Sequence, residues 1–299
     1  MKKTYICLFA ILPLLIRAQT VQVNVINFEW MPNGRDMLVG VYKFDTIQNK
    51  TLASEIFLLK TKTKDISLLI KDGNNPSPSP NGRELAFGRR IQNRSHIFIY
   101  NIETNSETEI GTIDSTSKSS PQWSPDGKKI IFTKVIGSGR NAVLDICVLD
   151  LSSGSIKDIL PGAPYRNYNP VWSPDGKMIT YFREKGDSHD QIYIADENGS
   201  FLRNITNDTT THNFYPSWFS NTKVLYTLNM PGEIKHAAIM NINGSSKQVI
   251  NEIKSFYTRK NPKYNLIGYI DNDDNLLKTF DLKKKQTKVV LTKDMLDKK

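Results

Sequence analysis

Short apolar runs, each bounded by polar turn residues, recur along the chain at a nearly constant interval. The runs at residues 130–132 and 178–182 each follow a turn that contains glycine. Such runs favour β-strands. The turn glycines stand 48, 45 and 49 residues apart along the chain, at Gly34, Gly82, Gly127 and Gly176. A fixed period of this length indicates repeated units of supersecondary structure.

The turns share one motif, which reads Trp-Ser-Pro-Asp-Gly-Lys in its strongest copies at residues 123–128 and 172–177. Proline presets a turn torsion, aspartate can cap its own turn, and glycine accepts the left-handed position that follows. The motif therefore predicts a tight β-hairpin, with the tryptophan placed to pack between neighbouring units. We interpret its carboxylates as turn caps rather than metal ligands. The residues with this structural role are Trp30, Trp123, Pro125, Asp126, Gly127, Trp172, Pro174, Asp175, Gly176 and Trp218.

Two further strands recur between the turns. One ends in polar residues, as at 96–101 and 145–150, and another closes the unit, as at 202–206. Weaker copies of the turn motif precede and follow the strong ones, which makes six units in total. Four strands per unit at this period are typical of propeller blades. The sequence therefore predicts an all-β fold, a six-bladed β-propeller of four-stranded antiparallel blades.

The repeat resembles that of the TolB-type propellers, which are WD40-like. The resemblance rests on the run Pro-x-Trp-Ser-Pro-Asp-Gly-Lys, the Ile-x-Phe strand after it, a strand that ends in Asp, and a Leu/Ile-Thr step. By analogy with the periplasmic propeller of the Tol–Pal system, it implies an exported protein that binds other proteins. We expect the N-terminal α/β domain of TolB to be missing, because only residues 19–29 separate the expected cleavage point from the first repeat tryptophan.

The first 18 residues have the pattern of a secretory signal peptide. Lys2 and Lys3 precede an apolar stretch at residues 5–16 that is short for a membrane span, and Ala18 suits a cleavage site. We expect a signal peptide at 1–18, a single propeller domain at 19–299, no transmembrane segment after cleavage, and a periplasmic or secreted location. An uncleaved N-terminal anchor is the alternative.

The alternation of apolar and polar residues from Val21 to Val25 predicts a strand ahead of the first turn. Two interpretations of this strand stay open. It is either the first inner strand, or an added strand that closes the ring against the last blade.

The chain is basic, with 40 Lys and Arg against 30 Asp and Glu and a formal net charge of +10. Cleavage after residue 18 would leave a net charge of +7 and a single cysteine, Cys147, which cannot form an internal disulfide. The basic residues are dispersed through predicted loops, which argues against nucleic acid as a partner. An acidic protein, an acidic glycan or lipid headgroups fit this charge better than nucleic acid does, and a merely solvated basic surface is the simplest interpretation.

The sequence contains no recognisable catalytic or nucleotide-binding motif. Residues 271–275 begin like a calcium loop, but Leu276 replaces the required glycine. The candidate metal ligands are His96, His189 and His212, predicted on loops of one propeller face. A histidine cluster there would be similar to that of the oligogalacturonate lyases, TolB-like propellers that bind a divalent metal through histidines. We favour scattered surface histidines, and therefore expect no cofactor and no metal.

These observations favour a non-enzymatic, monomeric interaction scaffold of the cell envelope that binds a protein or peptide on one rim. Two alternatives stay open. One is a metal-dependent lyase or hydrolase acting on acidic oligosaccharides, which requires the three histidines to meet. The other is a glycan-binding module that uses aromatic residues of the loops leading into the blades, at Tyr165, Tyr168, Phe214 and Tyr215.

Overall fold

A computed structural model shows the chain folded almost entirely as antiparallel β-sheet. The structure describes residues 21–111, 116–184, 189–230, 232 and 234–297. The signal peptide predicted at residues 1–18 lies outside these ranges. Within them, no helix is long and apolar enough to cross a membrane.

The strands form four sheets. The first sheet contains β1 (Val21–Trp30), β2 (Asp36–Asp45), β3 (Lys50–Lys60) and β4 (Asp65–Lys71). The second contains β5 (Asn74–Pro78), β6 (Glu84–Ile91), β7 (Arg94–Asn101) and β8 (Ser106–Ile110). The third contains β9 (Ser117–Trp123), β10 (Lys129–Ile136), β11 (Val143–Asp150), β12 (Ile156–Leu160), β13 (Arg166–Trp172), β14 (Met178–Glu184), β15 (Gln191–Asp196) and β16 (Arg203–Asn204). The fourth contains β17 (His212–Ser220), β18 (Lys223–Asn229), β19 (His236–Asn241), β20 (Gln248–Lys260), β21 (Leu266–Asp271), β22 (Leu277–Asp281) and β23 (Gln286–Leu291). A 3₁₀ turn (Gly139–Asn141) follows β10, and a short helix α1 (Lys293–Asp297) follows β23.

The two larger sheets are each composed of two parts. In the third sheet, the strands β9–β12 and β13–β16 meet through one parallel pair, Leu144 with Arg166. In the fourth sheet, β20 is shared: residues 248–250 and Lys254 pair with β19, whereas residues 255–260 pair with β21. A single long strand thus passes from one part of the sheet into the next.

Buried apolar clusters lie between successive groups of strands. One cluster joins β10–β12 to Trp172 and β14, and the next joins β14–β15 to Trp218 and β18. Corresponding clusters connect the other neighbouring groups, and one unites β1–β3 with β20–β23. Sheets that pack face to face in a closed ring define a β-propeller. The prediction of an all-β propeller is therefore confirmed.

Side chains, rather than a shared strand, close the ring between the first and the last sheet. Among the described strands, β1 pairs only with β2, so it is the first inner strand and not an added closing strand. The rings of Phe28 and Tyr257 meet edge to face at 5.7 Å. The Trp30 indole donates to the Arg259 carbonyl at 3.3 Å. The closure joins residues about 230 positions apart in the sequence.

Each motif turn is held by its own side chains. The Gly127 N–H donates to the Ser124 carbonyl at 2.9 Å, and Gly127 has a φ of 73°, which glycine adopts without strain. The Asp126 carboxylate accepts from the Ser124 hydroxyl at 2.6 Å and from the Lys128 N–H at 3.0 Å. The hydrogen bond from Ser124 lowers the pKa of Asp126. Asp175 makes the corresponding bonds in the next copy of the turn.

The ends of the inner strands define two faces of the ring. The turn face carries the motif turns, where β1, β5, β9, β13 and β17 end. The loop face carries the beginnings of these strands and the loops between the second and third strand of each group.

Candidate functional site

The inner strands surround a central channel that contains a cavity of about 380 Å³. Every inner strand contributes to its wall, so the cavity belongs to the assembled ring and not to any one sheet. The lining residues are Ile26, Asn27, Tyr42, Asn75, Pro76, Ser120, Gln122, Asn169, Pro170, Val171, Tyr215, Phe256, Tyr257 and Arg259.

A β-bulge interrupts each inner strand at the level of this cavity. In four strands the bulged residue directly precedes a proline and has a positive φ of about 50°, at Asn75, Ser120, Asn169 and Tyr215. A residue before proline is normally extended, and a positive φ is uncommon outside glycine. Bulges redirect side chains, and here the bulged residues line the channel. The strained backbone is thus concentrated at the cavity, as is common at functional sites.

Uncharged polar groups connect neighbouring inner strands across the cavity wall. The Ser120 hydroxyl donates to the Asn169 side-chain oxygen at 2.7 Å. The Asn27 amide donates to the Asn75 side-chain oxygen at 2.7 Å. The Asn27 Oδ1 atom is buried and has no hydrogen-bond partner among the described residues. A Cβ atom at Gly40 would lie 2.1 Å from that oxygen, so the absence of a side chain at Gly40 makes room for it.

A buried ion pair forms the wall where the first and last sheets meet. Arg259 Nε lies 2.6 Å from Glu29 Oε1, and the Tyr257 hydroxyl donates to the same oxygen at 3.1 Å. The guanidinium also stacks on the Tyr257 ring at 4.0 Å. Burial raises the pKa of Tyr257 well above its ordinary value, so the phenol stays neutral and remains a donor. Since Glu29 neutralises Arg259, the channel presents mainly neutral hydrogen-bonding groups.

Two of the three predicted metal candidates meet on the loop face. The rings of His189 and His212 have their centroids 4.5 Å apart, and His212 Nδ1 lies 3.1 Å from Asp190 Oδ2. Burial raises the pKa of Asp190, although the hydrogen bond with His212 opposes the shift. Nearby, Glu184 accepts a hydrogen bond from the Tyr168 hydroxyl at 2.9 Å.

His96 lies apart from this pair. It stands on β7 of the second sheet, and its Nδ1 atom contacts Glu109 at 2.8 Å. In the described part of the chain, no group of three or more His, Cys, Asp and Glu side chains could hold a metal ion. The calcium-like loop is occupied by an ammonium group, since Lys278 Nζ lies 3.1 Å from Asp271 and 2.6 Å from Asp274.

The candidate glycan-binding aromatics pack against each other and their neighbours. Tyr168 stacks on Phe182 at 4.9 Å, and Phe182 in turn meets Tyr215 edge to face at 5.8 Å. Phe214 meets Tyr215 at 5.3 Å, and Arg183 covers Tyr165 at 4.7 Å. These rings therefore form part of the interface between strands and leave little flat aromatic surface open.

Of the residues that line the channel, the sequence pattern singled out Tyr215 alone as a binding candidate, and for a different role. The prolines of the Pro-x-Trp runs are a repeated signal in the sequence. The left-handed backbone of the residue before each of them is not apparent from the sequence. Nothing in the sequence pattern links Glu29 to Arg259, which lie 230 positions apart.

Comparison with known proteins identifies the fold. The sequence profile of the TolB beta propeller domain matches residues 26–273. No curated protein matches the chain. The structure is similar to TolB from Acinetobacter baumannii, with 16% identity, a TM-score of 0.64, and coverage of 89% of this chain and 77% of that one.

Other similar structures have different functions. An oligogalacturonate lyase from Vibrio parahaemolyticus has 15% identity, a TM-score of 0.63, and coverage of 90% and 78% of the two chains. The β-propeller domain of the Trilobed protease from Pyrococcus furiosus, described as having an open velcro topology, has 16% identity, a TM-score of 0.60, and coverage of 92% and 97%. Likeness at this level of identity establishes the fold alone.

Proposed function

The chain belongs to the TolB β-propeller domain family, and from that premise we propose that it is an exported, non-enzymatic scaffold of the cell envelope. Its partner is a protein or peptide segment that docks at the central channel. In this proposal residues 1–18 are a signal peptide, residues 19–299 form one domain, and the protein is a monomer in the periplasm or outside the cell. These assignments rest on the sequence.

We infer further that the four sheets divide into six four-stranded antiparallel blades. The single residue pair between β11 and β13 supports a division of the third sheet. The two pairings of β20 support a division of the fourth, with one strand serving two blades. The apolar clusters between successive groups of strands agree with this count.

The observation that carries the docking proposal is the neutral, hydrogen-bonding wall of the channel. Amide and hydroxyl groups supply donors and acceptors together, at Asn27, Asn75, Ser120, Gln122 and Asn169. The main chain of an extended peptide carries both N–H donors and C=O acceptors, and each of these groups needs a hydrogen-bond partner.

The experiment is a cross-linking capture from intact envelope with the exported protein as bait, with and without a chelator. Gln122 lies on the channel wall without backbone strain. The variant Gln122→Leu should reduce capture of the specific partner at least about tenfold, because it leaves the bound peptide's polar groups unpaired. Gln48→Leu, in the exposed β2–β3 turn, is the matched control and should leave capture unchanged. Equal capture by both variants would contradict channel docking.

One observation favours a second candidate, the metal-dependent enzyme acting on acidic oligosaccharides. His189 and His212 meet on the loop face, and His212 pairs with Asp190. His96, the third histidine that this function requires, lies apart on β7, and the described residues contain no group of three potential ligands for a metal. The chelator arm separates the two functions. Capture that is independent of the chelator supports the scaffold, whereas a bound metal that the chelator removes, without a protein partner, supports the enzyme.

A further inference from the structure

Cations from the two ends of the chain meet on the turn face, at the seam between the first and last sheets. Arg35 and Lys62 follow β1 and β3, whereas Lys263 and Lys284 follow β20 and β22. The seam is held together by Asn261, whose side-chain amide donates to the Gly34 carbonyl at 2.8 Å across 227 positions of sequence. The charges looked dispersed along the chain, and the ring brings them together.

Two concave sites of about 470 and 350 Å³ lie along this seam. Arg35 and Tyr264 line both sites and so form their common wall. The cations that line one or both sites are Arg35, Lys60, Lys62, Lys263, Lys284 and Lys288. All of them are exposed.

These six cations form no ion pair with any carboxylate in the described part of the chain, although cations elsewhere, such as Arg83 and Arg166, do. The two carboxylates that line the sites are held by their own turns. Asp36 accepts from the Asn33 amide at 2.8 Å. Asp281 accepts from the Lys283 and Lys284 N–H groups at 2.9 and 3.0 Å. Six cations against two carboxylates leave the lining of the two sites with a net positive charge.

Tyr264 adds an aromatic surface between the cations. It is 43% exposed, and its hydroxyl accepts from Arg35 Nε at 3.4 Å. The hydrogen bond from Arg35 and the charges of Arg35 and Lys263 lower the pKa of Tyr264. Hydroxyl and amide side chains of Thr61, Thr63 and Gln286 complete the lining.

We propose that this seam binds an acidic oligosaccharide. Its anionic groups face the lysines and Arg35, a sugar ring packs its C–H face on Tyr264, and the sugar hydroxyls reach the polar side chains. Charge-assisted hydrogen bonds from Lys and Arg suit carboxylate, sulfate or phosphate groups equally. A flat anionic membrane would reach the rim lysines but not the interior of the concave sites. An acidic peptide of repeated carboxylates would offer no ring to Tyr264. The site lies on the turn face and is independent of the channel function.

The test measures binding of the exported protein to an oligogalacturonate of about ten units, at low salt where exposed charges are least screened. The triple variant Arg35→Gln, Lys263→Gln, Lys284→Gln should weaken binding about tenfold or more. The control triple variant Arg83→Gln, Lys128→Gln, Lys177→Gln removes three charges from the other motif turns of the same face. It should change the affinity less than about twofold. Equal losses in the two triple variants would overturn the proposal.

The aromatic contact is tested separately from charge. Tyr264→Ala should weaken binding of the oligosaccharide, whereas Tyr264→Phe, which keeps the ring, should preserve it. Because Tyr264 is exposed, both variants should melt like the unmodified protein. A sulfated oligosaccharide distinguishes the type of anionic group, and a neutral dextran of equal length should not bind. Equal or tighter binding of decaglutamate or of anionic vesicles, or no binding of any acidic oligosaccharide, would overturn the proposal.

Discussion

At the scale of single residues, burial decides the chemistry that a side chain can perform. Cys147 is fully buried on β11, and its thiol donates to Asp158 Oδ1 at 2.8 Å. Burial, the largest cause, raises the pKa of the thiol, and the contact with Asp158 adds to the shift. A neutral buried thiol is neither a nucleophile nor a metal ligand. Cys147 is therefore a small residue of the buried apolar cluster around β10 and β11.

The thiol of Cys147 should therefore resist modification. In the chain without residues 1–18, a disulfide reagent at pH 8 should label no thiol in the native protein and one thiol in denaturant. Rapid stoichiometric labelling of the native protein would contradict this burial.

The same residue predicts a pH dependence of stability. The pKa of the Cys147 thiol is raised in the folded state. The contribution of the thiol to the free energy of unfolding is therefore complete below the unfolded pKa of about 8.5, and it is lost as the pH rises above that value. The free energy of unfolding should fall by up to about 1.4 kcal/mol per pH unit there, relative to Cys147→Ala. Parallel pH profiles of the two proteins would argue against a raised pKa.

At the scale of elements, the motif hairpin connects each sheet to its neighbour. The Trp218 indole donates to the Val171 carbonyl of the preceding inner strand at 3.0 Å. A Cβ atom at Gly176 would lie 3.6 Å from the ring of Pro125 in the preceding turn. The motif thus has two structural roles: it forms a local turn, and it packs against the motif of the preceding repeat. The first role is readable from the sequence, because turn chemistry is local.

Truncation of one motif tryptophan should destabilise the ring. Trp172 is only 6% exposed within the cluster between β10–β12 and β14. Trp172→Ala should lower the free energy of unfolding by about 3–5 kcal/mol, measured by urea denaturation. Trp123 is only half-buried, so Trp123→Ala should cost less. Equal costs, or an unchanged midpoint for Trp172→Ala, would contradict the packing between sheets.

At the scale of the whole molecule, the ring joins the two ends of the chain. The closure combines an apolar cluster, the Phe28–Tyr257 contact and the buried pair of Glu29 with Arg259. Both proposed sites depend on it. The closure places Arg259 on the channel wall and gathers the seam cations on the turn face.

Removal of one partner of the buried pair should weaken the whole fold. Glu29→Gln leaves the Arg259 guanidinium buried without a counter-charge, and should reduce the free energy of unfolding by about 3–5 kcal/mol. Glu103→Gln removes a partner of Arg83 in an exposed pair at 3.6 Å. That change should cost less than about 1 kcal/mol. Similar costs for the two variants would show that the closure does not depend on this ion pair.

The sequence by itself determined the repeat, the hairpin turns, the strand patterns and hence the propeller, because these depend on contacts between near neighbours and on a period of local signals. Only the tertiary structure decided how β1 enters the ring and that the residue before proline is left-handed in four inner strands. It alone decided that His189 meets His212 while His96 does not, and that the cations of the first and last sheets share one seam. These features depend on residues that are distant in sequence, which the pattern along the chain cannot bring together.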